Sequence, residues 1–153
     1  MNKETTYEQE LAQNGELIYT TAGRSMRPFL RSGEDMFRLK AKGAERCSKY
    51  DAVLYRRDSG VYVLHRIVSV EENSYTLCGD NCCYLEPGIR EDQILGILTH
   101  VIRKGRMIDV SEPRYCRMIR IWVFFYYPRA AYIYVRGKLV GLWLKIKKRK
   151  KIG

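Results

Sequence analysis

Three side chains suited to acyl-transfer chemistry stand in short and distinctive stretches of this chain. Ser25 lies in a Gly-Arg-Ser-Met-Arg-Pro stretch, His65 in a Val-Leu-His-Arg-Ile stretch, and Asp80 in Gly-Asp-Asn. A serine hydroxyl needs a base to remove its proton as it attacks, and histidine titrates near neutral pH. A carboxylate at the far ring nitrogen fixes the tautomer of the imidazole. Because the chain has only two histidines, these residues predict a serine nucleophile with His65 as its base.

Each of these residues also has a purely structural interpretation. A serine before Met-x-Pro is often a turn or helix-cap residue, and an aspartate in Gly-Asp-Asn often stabilises its own turn. His65 shares one face of a predicted strand with Val63 and Ile67, which is also where a core histidine would lie. His100 lies in a strand-like stretch without a motif around it, so we expect it to have a structural role.

The cysteines predict neither a disulfide framework nor a metal site. The chain has five of them, an odd number that is typical of reduced thiols inside a cell. Cys78, Cys82 and Cys83 lie close together in the sequence. A zinc site, however, needs four ligands in a familiar spacing, and this group lacks a second pair. We therefore expect no metal and no cofactor.

The stretches that carry the candidate residues must be positioned by short strands joined by turns. Thr5 or Thr6 can begin a helix that ends at Asn14-Gly15, and from there the hydrophobic pattern changes to that of strands. The predicted strands are 17–21, 36–40, 51–57, 61–70, 75–78, 94–103 and 106–110. This pattern predicts a mainly β, antiparallel domain that ends near Ser111.

The chain changes character at Pro113. Its apolar runs from there onwards, interrupted by charges, are 121–127, 130–135 and 139–144. An arginine near the middle of a bilayer costs roughly 2.5–3.5 kcal/mol. We therefore predict that 113–153 is an amphipathic helical segment, basic and rich in aromatic residues, that lies at a membrane surface rather than crossing it. The alternative is a pair of amphipathic helices packed on the β domain.

The net charge of +11 is concentrated in this C-terminal segment. Eight cations fall between Arg136 and Lys151, and no acid follows Glu112. Such a segment attracts anionic lipid headgroups or nucleic acid. Because the cations are interleaved with apolar runs, we expect an anionic membrane surface as the partner and no nucleic acid. The polar start of the chain shows no signal peptide, which predicts peripheral attachment at the cytoplasmic side of the membrane.

Five short boxes, in this order, resemble those of the signal peptidase I superfamily, which includes the LexA-type self-cleaving repressors. They are Gly23–Pro28, Tyr50–Val53, His65–Ile67, Gly79–Asn81 and Ile94–Gly96. The resemblance covers roughly residues 16 to 103. It implies a coiled antiparallel β-sheet domain over residues 1–112, with a cleft that binds an extended peptide as an added strand.

By this resemblance Ser25 is the nucleophile, and His65 is the general base in the position that a lysine holds in the usual bacterial enzymes. Histidine there is similar to the endoplasmic-reticulum and archaeal type of signal peptidase. Asp80 matches the aspartate of the Gly-Asp-Asn box. In those relatives, however, the acid lies several residues later, where this chain has Glu86. Asp80, Glu86 and the later Asp92 are therefore three candidates for the residue that orients His65.

These features predict a serine endopeptidase that cleaves a signal- or leader-type peptide through an acyl-enzyme. Gly23 stands where bacterial relatives often have a serine, so we expect backbone amides to form the oxyanion hole. The alternative is a catalytically inactive relative that binds peptides or docks at a membrane surface. Self-cleavage of the LexA kind is disfavoured, because the stretch before Ser25 is too short for a DNA-binding unit and a linker.

Overall fold

The computed structural model describes residues 7–149 of the chain, and it is built around one antiparallel sheet of eight strands. The mainly β, antiparallel prediction is confirmed, as are the short N-terminal helix and the helical C-terminal segment. The predicted capping residues Thr5 and Thr6 lie outside the described residues. In chain order the elements are α1 (Tyr7–Asn14), β1 (Glu16–Thr20), β2 (Asp35–Ala41), β3 (Ala52–Arg56), β4 (Tyr62–Val70), β5 (Tyr75–Cys78), β6 (Glu86–Ile89), β7 (Ile94–Arg103), β8 (Arg106–Asp109), α2 (Pro113–Phe124) and α3 (Tyr126–Arg149).

The strands pair in the order β1-β2-β7-β3-β4-β5-β6, and β8 pairs with β7. Side chains alternate between the two faces of each strand, so the sheet buries two separate apolar clusters. In β3, Leu54 belongs to one cluster, whereas Val53 and Tyr55 belong to the other. This alternation places His65, which lies opposite Val53 on β4, on the face of the second cluster.

Among the eight strands of residues 7–149, β6 is the one that sequence patterns did not predict. Its sequence contains Pro87 and Gly88, two residue types that are depleted in strands. The strand forms because it pairs with β5 at the edge of the sheet, with Leu77 opposite Glu86 and Tyr75 opposite Ile89. Tertiary pairing therefore outweighs local preference here, and it brings Glu86 into the sheet.

The two C-terminal helices differ in how they pack. Helix α2 is amphipathic, with Tyr115 and Ile119 buried against the domain. Helix α3 is not, because Arg136 and Lys138 are two positions apart and therefore lie on nearly opposite sides of the helix. The prediction of an amphipathic segment is thus correct for α2 and wrong for α3. Within residues 7–149, no helix is both long enough and apolar enough to cross a bilayer.

Candidate active site

Ser25 lies in the loop between β1 and β2, where its side chain is half-buried. The loop turns at Gly23, whose φ of 94° is in the left-handed region that favours glycine. Its far end is held from β7, because the guanidinium of Arg103 donates to the carbonyl oxygen of Phe29 at 3.0 Å and to Asp35 at 2.9 and 2.7 Å. The nucleophile candidate therefore sits on an anchored loop.

The Gly-Asp-Asn box lies directly against this loop. The backbone N–H of Asn81 donates to the carbonyl oxygen of Ser25 at 2.7 Å, and the Asn81 side-chain amide donates to the carbonyl oxygen of Arg24 at 3.3 Å. Two of the motifs that the sequence singled out are thus joined by their main chains. Because these bonds use the carbonyl of Ser25, its hydroxyl is not needed to hold the loop.

Gly79 marks the point where the parts of the site converge. A β-carbon at this position would lie 2.9 Å from Nε2 of His65, 2.9 Å from the carbonyl oxygen of Ser25 and 2.6 Å from Sγ of Cys82. Atoms do not approach a real β-carbon so closely, so only glycine fits. The imidazole Nε2 and the main chain of Ser25 therefore meet at the space that a side chain of residue 79 would occupy.

This packing leads to a prediction for Gly79→Ala. The added methyl group must displace the ring of His65 or the loop of Ser25, and a misplacement of about 1 Å at a catalytic group lowers activity by about 10²-fold. We expect a loss of that size in kcat/KM for peptide cleavage, with circular dichroism unchanged. Gly43→Ala is the matched control, since a β-carbon there meets no atom within 4 Å. Equal activity of the two variants would contradict the proposed packing.

The other ring nitrogen of His65 faces a carboxylate. Nδ1 lies 3.1 Å from Oε1 of Glu86, while the ring is almost completely buried. A carboxylate in this place fixes the proton on Nδ1 and leaves Nε2 free to accept one. Nε2 is the nitrogen that faces Gly79 and Ser25. Glu86 and His65 thus have the relative arrangement that a general base and its orienting acid require.

Glu86 is itself held by two residues that the sequence analysis missed, Tyr55 and Arg57. The Tyr55 hydroxyl donates to Oε2 at 2.8 Å, and Arg57 donates through Nε to Oε2 at 2.8 Å and through Nη2 to Oε1 at 2.5 Å. Tyr55 and Arg57 are two positions apart, so they project to the same side of the chain. This spacing could have identified Tyr55 and Arg57 from the sequence as neighbours on one side of the chain. Their common partner, Glu86, becomes evident only when β6 is known to pair with β5.

Burial and neighbouring charge set the ionisation of the pair. Burial lowers the pKa of His65 below its usual 6.5, the Arg57 cation lowers it further, and the Glu86 carboxylate only partly opposes this. Burial alone would raise the pKa of Glu86. The hydrogen bonds from Arg57 and Tyr55 outweigh that effect, and the pKa of Glu86 is lowered. At neutral pH the pair is therefore a neutral imidazole beside an ionised carboxylate, the state that a base needs.

The acidic side of a pH–activity profile measures the pKa of His65. Activity should rise with pH as His65 loses its proton, and the midpoint should lie below 6.5 because its pKa is lowered. Arg57→Gln removes a cation that lowers the pKa values of both His65 and Glu86. We therefore expect the midpoint of kcat/KM to move to higher pH. Arg56→Gln is the matched control, because Arg56 is exposed and pairs with Glu8; an equal shift in both variants would contradict the assignment.

The carboxylate of Asp80 pairs with Arg66, whereas the carboxylate of Glu86 lies beside His65. The guanidinium donates through Nε to Oδ1 and through Nη2 to Oδ2, both at 2.8 Å, and both side chains are buried. Arg66 also donates to the carbonyl oxygen of Tyr50 at 2.7 Å. This ion pair connects β4 to the box beside Ser25. Asp92, the third candidate acid, is exposed and pairs with Arg90 at 3.1 Å.

Helix α2 covers this ion pair. The indole N–H of Trp122 donates to the carbonyl oxygen of Asp80 at 2.8 Å. Phe29, in the loop of Ser25, makes edge-to-face contacts with Trp122 and Tyr115 at centroid distances of 5.6 and 5.8 Å. Trp122 belongs to the aromatic-rich segment 113–153 that we predicted to lie at a membrane surface. In the structure it contacts the Gly-Asp-Asn box, and no sequence pattern signals that contact.

The cysteines near the site are free thiols, and Cys78 and Cys82 are buried whereas Cys83 is exposed. Burial raises the pKa of Cys78 to about 12 and also raises that of Cys82, so both thiols are protonated at neutral pH. Among residues 7–149, no group of three or more His, Cys, Asp and Glu side chains is arranged to hold a metal ion.

A cleft of about 240 Å³ opens beside Ser25. Its lining is largely apolar and includes Leu17 and Tyr19 from β1 and Tyr62 and Leu64 from β4. Both strands have unpaired backbone groups here. β1 is an edge strand, and the first half of β4 pairs with β3 only, since its pairing with β5 begins at Arg66. The cleft therefore offers two free strand edges next to the serine.

The ring of His65 contacts Glu86 and Tyr55, and no hydrogen bond within the described part of the chain joins it to Ser25 Oγ. Such bonds are often long in the absence of substrate and shorten when it binds. The structure thus brings Ser25, His65 and Glu86 to one place and assigns the carboxylate of Asp80 to Arg66. No protein-family model matches this chain, and no curated protein is significantly similar to it.

Proposed function

We propose that this chain is a serine endopeptidase of the signal peptidase type. The observation that carries the proposal is the order of contacts across His65, with Glu86 at Nδ1 and Gly79 and the Ser25 main chain at Nε2. The five boxes of the sequence are consistent with the same family, and we infer that the sheet has its coiled fold. Ser25 is then the nucleophile, His65 the base and Glu86 the acid that orients it.

The proposed reaction has two steps. Oγ of Ser25 attacks the carbonyl carbon of the substrate while Nε2 of His65 takes the hydroxyl proton. The tetrahedral intermediate collapses as His65 returns that proton to the amine that leaves, and an ester to Ser25 remains. His65 then takes a proton from water, which attacks the ester carbonyl. The bond to Oγ of Ser25 breaks, His65 returns the proton to that oxygen, and the new carboxylate terminus is released. Glu86 stays ionised throughout and stabilises the imidazolium.

The cleft indicates how a peptide substrate would bind. An extended segment can add to a free strand edge, where main-chain hydrogen bonds provide affinity and pockets select alternate side chains. β1 and the first half of β4 provide such edges on either side of the cleft. A peptide held there runs past Ser25, with its apolar side chains in the cleft. This fits a signal- or leader-type peptide, which is extended and apolar near its cleavage site.

A second candidate function is peptide binding without cleavage. It is favoured by one observation, that His65 is deeply buried and makes no hydrogen bond to Ser25 Oγ among the described residues. In this alternative the cleft would hold an extended peptide, and Glu86 and His65 would serve only to stabilise the fold. The two candidates differ in whether the peptide is recovered intact.

The test is incubation of the purified chain with a mixture of extended apolar peptides in heavy-oxygen water. We expect pairs of products by mass spectrometry, with heavy oxygen in each newly formed carboxylate, because hydrolysis takes that atom from water. Recovery of bound peptides at unchanged mass would instead support peptide binding alone. Absence of both cleavage and binding for every peptide would contradict both candidates.

A further inference from the structure

Helix α3 carries apolar side chains that are largely exposed in the described part of the chain. Tyr126, at its start, is buried beside Cys78 and Ala130. Beyond Ala131 most of the described side chains are exposed, including Tyr132 at 65%, Leu139 at 62% and Trp143 at 58%. An exposed apolar surface of this extent usually marks a site of interaction.

The positive charge of helix α3 and the residues after it favours a negatively charged partner. No acidic residue follows Glu112 in the sequence, whereas cations continue through Arg136 and Lys138 to Lys151. Two copies that met along α3 would place cations against cations with no acid in either segment to pair with them. An anionic lipid surface supplies the missing negative charge, and tyrosine and tryptophan are well accommodated at the headgroup boundary.

We propose that α3 docks the protein on an anionic lipid bilayer. The cations bind the headgroups of acidic phospholipids, and the exposed tyrosine, leucine and tryptophan side chains enter the boundary between headgroups and acyl chains. Because cations lie on opposite sides of α3, the helix does not rest on one apolar face. Its long basic side chains must instead extend along the helix to reach the headgroups.

The first turns of α3 connect this surface to the candidate active site. Arg129 stacks on the ring of Trp122 at 4.4 Å and donates to the Trp122 carbonyl oxygen at 2.5 Å. Trp122 in turn donates to the carbonyl oxygen of Asp80. Docking of α3 would therefore hold the cleft close to the bilayer.

Vesicle co-sedimentation tests the docking proposal. The full chain should bind phosphatidylcholine vesicles that contain phosphatidylserine and bind vesicles of pure phosphatidylcholine much more weakly. Each cation near an anionic surface contributes about a factor of five to binding. The double variant Arg136→Gln with Lys138→Gln should therefore lower the partition coefficient roughly thirtyfold. A second variant, Leu139→Ser with Trp143→Ser, should lower binding through loss of apolar contact.

The control removes two cations elsewhere. Lys104→Gln with Arg106→Gln changes the net charge equally on the exposed β7–β8 hairpin, and it should leave binding close to that of the parent. Equal losses in both charge variants, or equal binding to neutral vesicles, would overturn the proposal. Self-association in sedimentation equilibrium without vesicle binding would identify a second copy instead. Cleavage of a soluble peptide should be unchanged in all these variants, so the docking and the peptidase proposals fail independently.

Discussion

Replacing Ser25 with alanine is expected to lower kcat for peptide cleavage by about 10⁴-fold or more, the loss typical when a catalytic nucleophile is removed. The reason is that Ser25 lines the cleft and its main chain lies against Gly79, which also packs against Nε2 of His65. The loop itself should not change, because Asn81 is bonded to the carbonyl oxygen of Ser25 and not to its side chain. Peptide affinity should therefore persist while turnover disappears.

A second serine in the same loop gives the matched control. The hydroxyl of Ser32 donates to the carbonyl oxygen of Thr21 at 3.2 Å, so Ser32→Ala removes a structural hydrogen bond without affecting the site. We expect Ser32→Ala to lower stability slightly and to keep kcat near that of the parent. Initial rates with one cleaved peptide and binding by fluorescence anisotropy measure the two quantities. Unchanged turnover in Ser25→Ala would remove Ser25 as the nucleophile.

The second large effect is expected for Glu86→Gln. The amide has nearly the same shape, but it lacks the charge that stabilises a protonated His65, and it can also favour the wrong tautomer. By analogy with the acid of other serine–histidine sites, kcat should fall by about 10³–10⁴-fold. The free energy of unfolding should change little, because Arg57, the ion-pair partner that Glu86→Gln leaves behind, is partly exposed and water can hydrate its charge.

Asp80→Asn should show the opposite pattern. Its carboxylate neutralises the buried guanidinium of Arg66, and loss of one partner from a buried ion pair typically costs about 3–5 kcal/mol. We expect a large loss in the free energy of unfolding by denaturant titration, with turnover per folded molecule reduced far less than in Glu86→Gln.

A double variant keeps this comparison valid if Asp80→Asn does not fold. Replacing both members, as Arg66→Met with Asp80→Ala, removes the unpaired charge, and such replacements are often neutral. The double variant should recover most of the lost stability and retain cleavage activity. If the double variant folds and is inactive while Glu86→Gln retains its turnover, Asp80 rather than Glu86 has the catalytic role.

Much of the sheet could be predicted from sequence because its strands are short, apolar on alternate positions and separated by turns. The predicted strand over 94–103 matches β7, and that over 75–78 matches β5. Strand β6 was missed because its preference for a strand comes from pairing with β5 and not from its own residues. Because β6 was not predicted, the sequence could not show which of Asp80, Glu86 and Asp92 lies beside His65.

The sequence by itself determined the residues capable of chemistry and the mainly β frame around them. Motif composition identifies Ser25 and His65, and hydrophobic period identifies the strands, since both are local properties of the chain. Only the tertiary structure shows that Glu86 lies beside His65 and that the carboxylate of Asp80 pairs with Arg66. This arrangement depends on strand pairing and burial, which place Arg66 against Asp80 and Tyr55 with Arg57 against Glu86. These contacts join residues that are far apart in the chain, so no local pattern records them.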